Sequence, residues 1–287
     1  MLEKQPRIAL LIDADNAPSA KIDVILAELS KLGVANIRRA YGNWTKPSLK
    51  GWAAVLHDYA IRPVQQFDYS KGKNATDMVM VIEAMELLYT DSPDAYGIVS
   101  SDSDFTPMVM HLRAKGAAVY GFGAQRTPMP FVNACSRFLY LEHLGQAVAD
   151  DAPAAKPARR TRKAKAQPDA PATAVAEAGE GEAIAPGSAP TRLDSTALKR
   201  DARLVGLLRT AVDSAVGEDG WAQLGAVAQQ IGNQTSFDAR NYGYRKLIDL
   251  IDATQLFDLD RRGTQFVLRD KRMARGHSEG KKPSIDR

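Results

Sequence analysis

Apolar runs of strand length alternate with stretches of helical period through the first half of the chain. "RIALLIDADN" is a continuous apolar run that ends in acids, and "IDVILAELSKLG" follows it with helical spacing and a closing glycine, Gly33. The alternation continues: "VANIRRAYGNW" predicts a second strand, "PSLKGWAAVLHDYA" a helix with Pro47 near its start, and "IRPVQQFDYS" a third strand. Beyond the loop "KGKNAT" come the helix "DMVMVIEAMELLYT", the strand "YGIVSSD", the helix "FTPMVMHLRAKG", the strand "AAVYGFG" and a last helix over "MPFVNACSRFLYLEHLG". Strands and helices alternating over short connections imply an α/β domain, residues 1–147, with a parallel central sheet covered on both faces. In such a sheet the functional residues gather at the carboxyl ends of the strands.

The pattern then stops. Residues 148–192 are rich in Ala, Pro, Gly, Glu and Lys, with no aromatic residue, and cannot bury enough surface to offset their ordering entropy. A disordered linker is expected there; its "ARRTRKAKA" places five basic residues between Arg159 and Lys165, a solvated run or a contact to a nucleic-acid backbone. Amphipathic helices resume in residues 193–270, over "ALKRDARLVGLLRTAVDSAV", "WAQLGAVAQQIG" and "SFDARNYGYRKLIDLIDAT". The alternating pair "QLFDLDRRGTQFVLRD", with a turn at "RRG", follows them. Three helices and a hairpin predict a small winged helix, followed by a basic disordered tail, residues 271–287.

Charge adds a direction. The formal net charge is +4, and the excess lies in the last third, where residues 191–287 hold 17 basic and 13 acidic side chains. That distribution hints at a polyanion partner for the C-terminal region. No apolar run approaches the roughly 18 residues of a membrane span. "MLEKQPR" passes directly into "IALLID" without the apolar stretch of a secretory leader, so a cytoplasmic protein is expected. The single cysteine, Cys135, sits in the apolar pattern "FVNACSRFLYL" and reads as core; with His57, His111 and His143 scattered, no zinc-ligand spacing exists.

Four acids fall at one edge of the expected sheet. Asp13 ends the first strand, Asp77 opens the helix after the third, and Asp102 and Asp104 follow the fourth. If the first and fourth strands are neighbours, their ends lie about 5 Å apart. Local roles compete: Asp77 and Asp104 suit helix starts, and Asn16 suits a cap of the first helix. Asp13 and Asp102 follow strands that ought to be buried, where a carboxylate without a cation or several donors is costly. Clustered carboxylates raise one another's pKa unless something cancels their charge. A divalent cation does so, and oxygen donors favour Mg2+ or Mn2+. Such an ion can activate water against a phosphodiester. "DADN" also suits a haloacid dehalogenase-like phosphatase, but the later acidic pair then lies in the wrong order beside Ser100 and Ser101.

"LLIDADN", "YGNW", "KGKNATDMVMVIEAMELLY" and "YGIVSSDSDFTPMVMHLRAKGAAVYGFG", in this order, resemble an NYN domain, a branch of the PIN-like nuclease superfamily also described as LabA-like. The C-terminal helices and hairpin resemble an OST-HTH or LOTUS domain, a winged helix that associates with RNA. The resemblance implies a three-layer sandwich and metal-dependent ribonuclease activity. It also implies an acidic set of Asp13, Asp77, Asp102 and Asp104 assisted by Asn16, with Asp15 outside it. Candidate RNA contacts are Trp44, Lys71 and Lys73 in the first domain, with Trp52 reading as core instead. In the second domain they are Arg240, Tyr242, Arg245 and Lys246 on one helix, where Tyr242 and Tyr244 cannot both be buried, and Arg261 and Arg262 at the hairpin tip. The expected function is a Mg2+- or Mn2+-dependent ribonuclease whose winged helix, on a tether of unfixed geometry, binds or selects RNA. An RNA-binding adaptor with an inactive nuclease fold is the alternative, and a homodimer or a protein partner for the winged helix stays open.

Overall fold

The computed structural model describes residues 5–67, 75–145 and 192–276. Its first unit is a six-stranded sheet in the order β3-β2-β1-β4-β5-β6, with every pair parallel. The strands are β1 (Arg7–Asp13), β2 (Val34–Gly42), β3 (Arg62–Gln65), β4 (Ala95–Val99), β5 (Ala118–Gly123) and β6 (Arg137–Tyr140). The helices between them are α1 (Ile22–Leu29), α2 (Lys50–Val55), α3 (Ala75–Thr90), α4 (Thr106–Ala114) and α5 (Met129–Ala134). β1 is apolar from Ile8 to Ile12 because both of its faces are covered. Ala9 and Leu11 pack with Met80, Leu87, Phe105 and Val109 of the α3–α4 layer. Ile8, Leu10 and Ile12 pack with Ile25, Leu29 and Trp52 of the α1–α2 layer. The three-layer α/β expectation therefore holds, and β1 and β4 are neighbours as the acidic edge requires.

The last predicted helix is instead two elements. α5 stops at Ala134, Cys135 is extended, and "RFLY" joins the sheet as β6 beside β5. Helical periodicity gave way to pairing: Ser136 N–H donates to Val119 C=O at 2.8 Å, and the Phe138 ring lies over Gly121. A Cβ on Gly121 would come within 2.4 Å of that ring, so the edge strand fits only because β5 is bare there.

The second unit comprises α6 (Ser195–Arg200), α7 (Ala202–Ala215), α8 (Leu224–Gln234), α9 (Leu247–Thr254) and an antiparallel sheet in the order β7-β9-β8. Its strands are β7 (Ala222–Gln223), β8 (Phe257–Arg262) and β9 (Gln265–Asp270), with the hairpin turning at Gly263, φ +63°. The first predicted helix breaks at Asp201, whose carboxylate caps α7 by accepting from Leu204 N–H at 2.9 Å. The third also breaks. Asp238 caps a short turn, Ala239–Tyr242, Gly243 takes φ +81°, and α9 starts afresh. The first residues assigned to the tail, Lys271–Gly276, form a helix, α10. The linker from 146 to 191 and the tail from 277 lie outside the described residues. Among the described residues no helix is long and apolar enough to cross a membrane.

The two units touch along β6. Its outer edge needs partners for backbone groups. The Asn241 side chain supplies them, donating to Phe138 C=O at 3.0 Å and accepting from Tyr140 N–H at 3.3 Å. Around this contact Arg137 meets Asp238 at 2.5 Å, Arg240 meets Glu28 at 2.6 Å, and Arg203 donates to Asn133 at 2.7 Å. The second unit is docked on the first, where the sequence led us to expect a tethered module with no fixed placement.

Candidate active site

Asp13 lies at the carboxyl end of β1 and is 1% exposed. Its Oδ2 accepts from Asn16 Nδ2 at 3.0 Å and from Ser100 Oγ at 2.8 Å, while its buried Oδ1 has no partner. Burial pushes the Asp13 carboxyl above the usual range against the pull of those two donors. Ser100 directly follows β4, tied by its N–H to Phe122 C=O at 3.0 Å. Its Oγ also accepts from Asp102 N–H at 3.1 Å, so one hydroxyl links the two strand ends.

Asp102, not Asp104, has the capping role: its Oδ1 accepts from Asp104 N–H at 2.8 Å at the start of the turn Ser103–Phe105. Asp104 is exposed in that turn, and α4 begins without a side-chain cap. Asn16 does not cap α1 either; it holds Asp13. Asp77 stands in the first turn of α3. Burial raises its pKa to about 6, reinforced by the charges of Asp13, Asp102, Asp104 and Asp15 in that order. The charges of the other three predicted acids, and of Asp15, thus all act on Asp77.

Asp15 has a position the sequence did not disclose. Its Oδ2 accepts from Thr76 Oγ1 at 3.1 Å, and its Oδ1 meets Lys46 Nζ at 3.5 Å, so it ties the start of α3 to the end of β1. Among the described residues no three acidic, histidine or cysteine side chains form a ready metal-ligand set. The donors nonetheless fit a hard cation: they are carboxylates, and one buried Asp13 oxygen is unpaired.

The other candidates are scattered. Trp44 is half-buried, its indole N–H donating to Val64 C=O at 3.0 Å. Trp52 is core, bonded to Ala17 C=O at 2.7 Å. Lys71 and Lys73 lie outside the described residues. Arg240 is engaged with Asp238 and Glu28 at the contact between the units. Tyr242 is half-buried and stacked on Phe237 with centroids 5.8 Å apart, whereas Tyr244 is the buried member of the pair. Arg245 and Lys246 are exposed. At the hairpin Arg262 pairs with Asp219 and lies 5.1 Å from the Trp221 ring centre, Arg269 lies 4.6 Å from that ring, and Arg261 lies 5.7 Å from Phe266. Trp221 and Arg269 were not among the predicted contacts; their only sequence signals are an aromatic residue after "GEDG" and a basic one in the returning strand.

Residues 7–142 match the NYN domain family, and residues 198–266 match the OST-HTH/LOTUS domain family. The chain is 31% identical over 123 residues to an uncharacterized protein of Methanocaldococcus jannaschii, an alignment covering 42% of this chain and 48% of that one. The chain thus spans about half the length of this curated relative. A crystal structure of a protein of unknown function from Vibrio parahaemolyticus is similar with a TM-score of 0.39 and 16% identity, over 49% of this chain and 95% of that one.

Proposed function

From a chain that joins an NYN domain to an OST-HTH/LOTUS domain, we propose a Mg2+- or Mn2+-dependent ribonuclease whose winged helix binds RNA. The observation that carries this reading is the buried, unpaired Oδ1 of Asp13 at the carboxyl end of β1, whose carboxylate is among those that act on Asp77. Asp13, Asp77, Asp102 and Asp104 would hold the cation. When bound, the ion supplies charge neutralisation at the phosphodiester and a water activated for in-line attack. Asn16 and Ser100 fix the Asp13 carboxylate through Oδ2 and leave Oδ1 for the ion. Asp15 and Thr76 hold the start of α3, and with it Asp77, against the end of β1. The Trp221, Arg262 and Arg269 cluster offers a ring for a base and guanidinium groups for phosphate.

Asp13→Asn and Asp102→Asn should each abolish manganese-dependent cleavage of a labelled RNA while circular dichroism stays native. Cleavage equal to wild type by the double variant would refute the assignment. The second reading, an RNA-binding adaptor, is favoured by the lack of a three-residue ligand set among the described residues. A protein that binds RNA yet neither cleaves it nor shifts its melting temperature with manganese is the outcome that selects it.

A further inference from the structure

Helix α3 has two apolar faces. Met80, Ala84, Leu87 and Leu88 pack inward against the sheet. On the opposite side Met78, Ile82 and Tyr89 are exposed, and half-buried Met85, which also packs against the core, completes a spacing of four, three and four at the border of that face. At 3.6 residues per turn these four fall within an arc of about 60°. Such spacing is the seam of paired helices, in which each side chain enters a hole on a facing helix. The seam is in water: Met78 is 62%, Ile82 60% and Tyr89 63% exposed. Met110 of α4, 61% exposed, widens it, and Tyr89 is braced toward α4 by a 3.0 Å hydrogen bond between its hydroxyl and His111 Nε2.

The seam is symmetric about its own midpoint. Laid antiparallel on a second copy, Met78 meets Tyr89 of the other chain and Ile82 meets Met85, and the same pairs recur on the far side of the axis. A two-fold interface demands this self-complementarity. The exposed parts of Met78, Ile82, Tyr89 and Met110 leave on the order of 500 Å2 of apolar surface, at the upper end for a monomer's largest patch. With the polar rim of two facing helices, the pair approaches the roughly 800 Å2 per partner of a stable interface.

We infer that α3 pairs antiparallel with α3 of a second copy of this chain through Met78, Ile82, Met85 and Tyr89. The pairing sets the two Asp77 residues about 20 Å apart along the helix axis, from a rise of about 1.5 Å per residue. The dimer thus presents two acidic edges from opposite ends of one helix pair.

Sedimentation of the full chain at tens of micromolar tests this. Wild type should run at twice its 31.2 kDa mass, and Ile82→Lys, a change on the solvent face, should run as a monomer with an unchanged circular dichroism spectrum. A second measurement reads the orientation. An equimolar mixture of Met78→Cys and Tyr89→Cys chains should give a mixed disulfide dimer under mild oxidation, and Met78→Cys alone should not. A wild-type monomer at this concentration would overturn the inference. A dimer untouched by Ile82→Lys, or a Met78→Cys homodimer crosslink, would overturn it too.

Discussion

Asp77→Asn should stabilise the metal-free protein at neutral pH, and the size of the effect can be worked from the site. The carboxyl of Asp77 is raised from 3.8 to about 6 by burial and by four neighbouring carboxylates. At about 1.4 kcal/mol per pK unit, the ionised form costs folding up to about 3 kcal/mol at pH 7. The side chain is partly solvated, and a carboxylate in the first turn of α3 gains roughly 0.5 kcal/mol from the helix dipole, so a net of about 1–2 kcal/mol remains. The sign follows from the raised pKa. The native state holds its proton more tightly than the unfolded chain, so the contribution is fully present below pH 3.8 and lost as pH rises through about 6. Thermal melts in a chelator from pH 5 to 8 should therefore show wild type losing stability as pH rises through 6, with the variant flatter. At pH 7.5 the variant should melt roughly 3–6 °C higher. Manganese should reverse the order, since only the wild type keeps the full set of carboxylates. Superimposable pH profiles for the two proteins would refute the charge-cluster reasoning.

The contact between the units should open in acid. Burial acts to raise the carboxyls of Asp238 and Glu28, but Arg240 with Arg137 at Asp238, and with Lys31 at Glu28, hold both below the usual range. Docking is then present above the ordinary carboxylate pKa and lost as pH falls through the depressed values, which scattering should read as a rise in the radius of gyration below about pH 4. Arg240→Ala should give the same expansion at neutral pH, because it leaves the partly buried Glu28 without its partner across the contact; an unchanged radius would contradict the ion-pair account. At the hairpin, Trp221→Ala should weaken RNA binding about 10–100-fold with the salt slope unchanged, whereas Arg262→Ala should lower that slope by about one. Filter binding across a salt series separates the two.

The local signals were strong where burial repeats along the chain. The parallel sheet was legible because β1, β4 and β5 are apolar on both faces, and the acidic edge followed from which residue ends each strand. β6 was not legible. "FVNACSRFLYL" has helical spacing, and only the bare surface of β5 at Gly121, sixteen residues upstream of Arg137, selects the strand. Capping failed for a related reason. Asp102 and Asp104 are chemically alike at this position, and which one caps depends on the Ser100 hydroxyl, itself held by Asp13 across the sheet. Asp15 looked like a loop acid because its partners, Thr76 and Lys46, sit more than thirty residues away.

Arg240 and Tyr242 show why a basic and aromatic segment is ambiguous on its own. A guanidinium meets a phosphate or a carboxylate with the same fork of donors, and nothing near position 240 announces Glu28 as the partner. Once Arg240 is engaged at the β6 contact and Tyr242 is stacked on Phe237, the cationic and aromatic ground of the winged helix shifts to Trp221, Arg261, Arg262 and Arg269. That shift changes what the second unit contributes. A tethered module raises the local concentration of captured RNA but lets it approach from any side. A module whose Asn241 completes the edge of the same sheet that carries Asp13 and Asp102 holds its hairpin in one relation to the acidic edge, so the path between them is set by the fold.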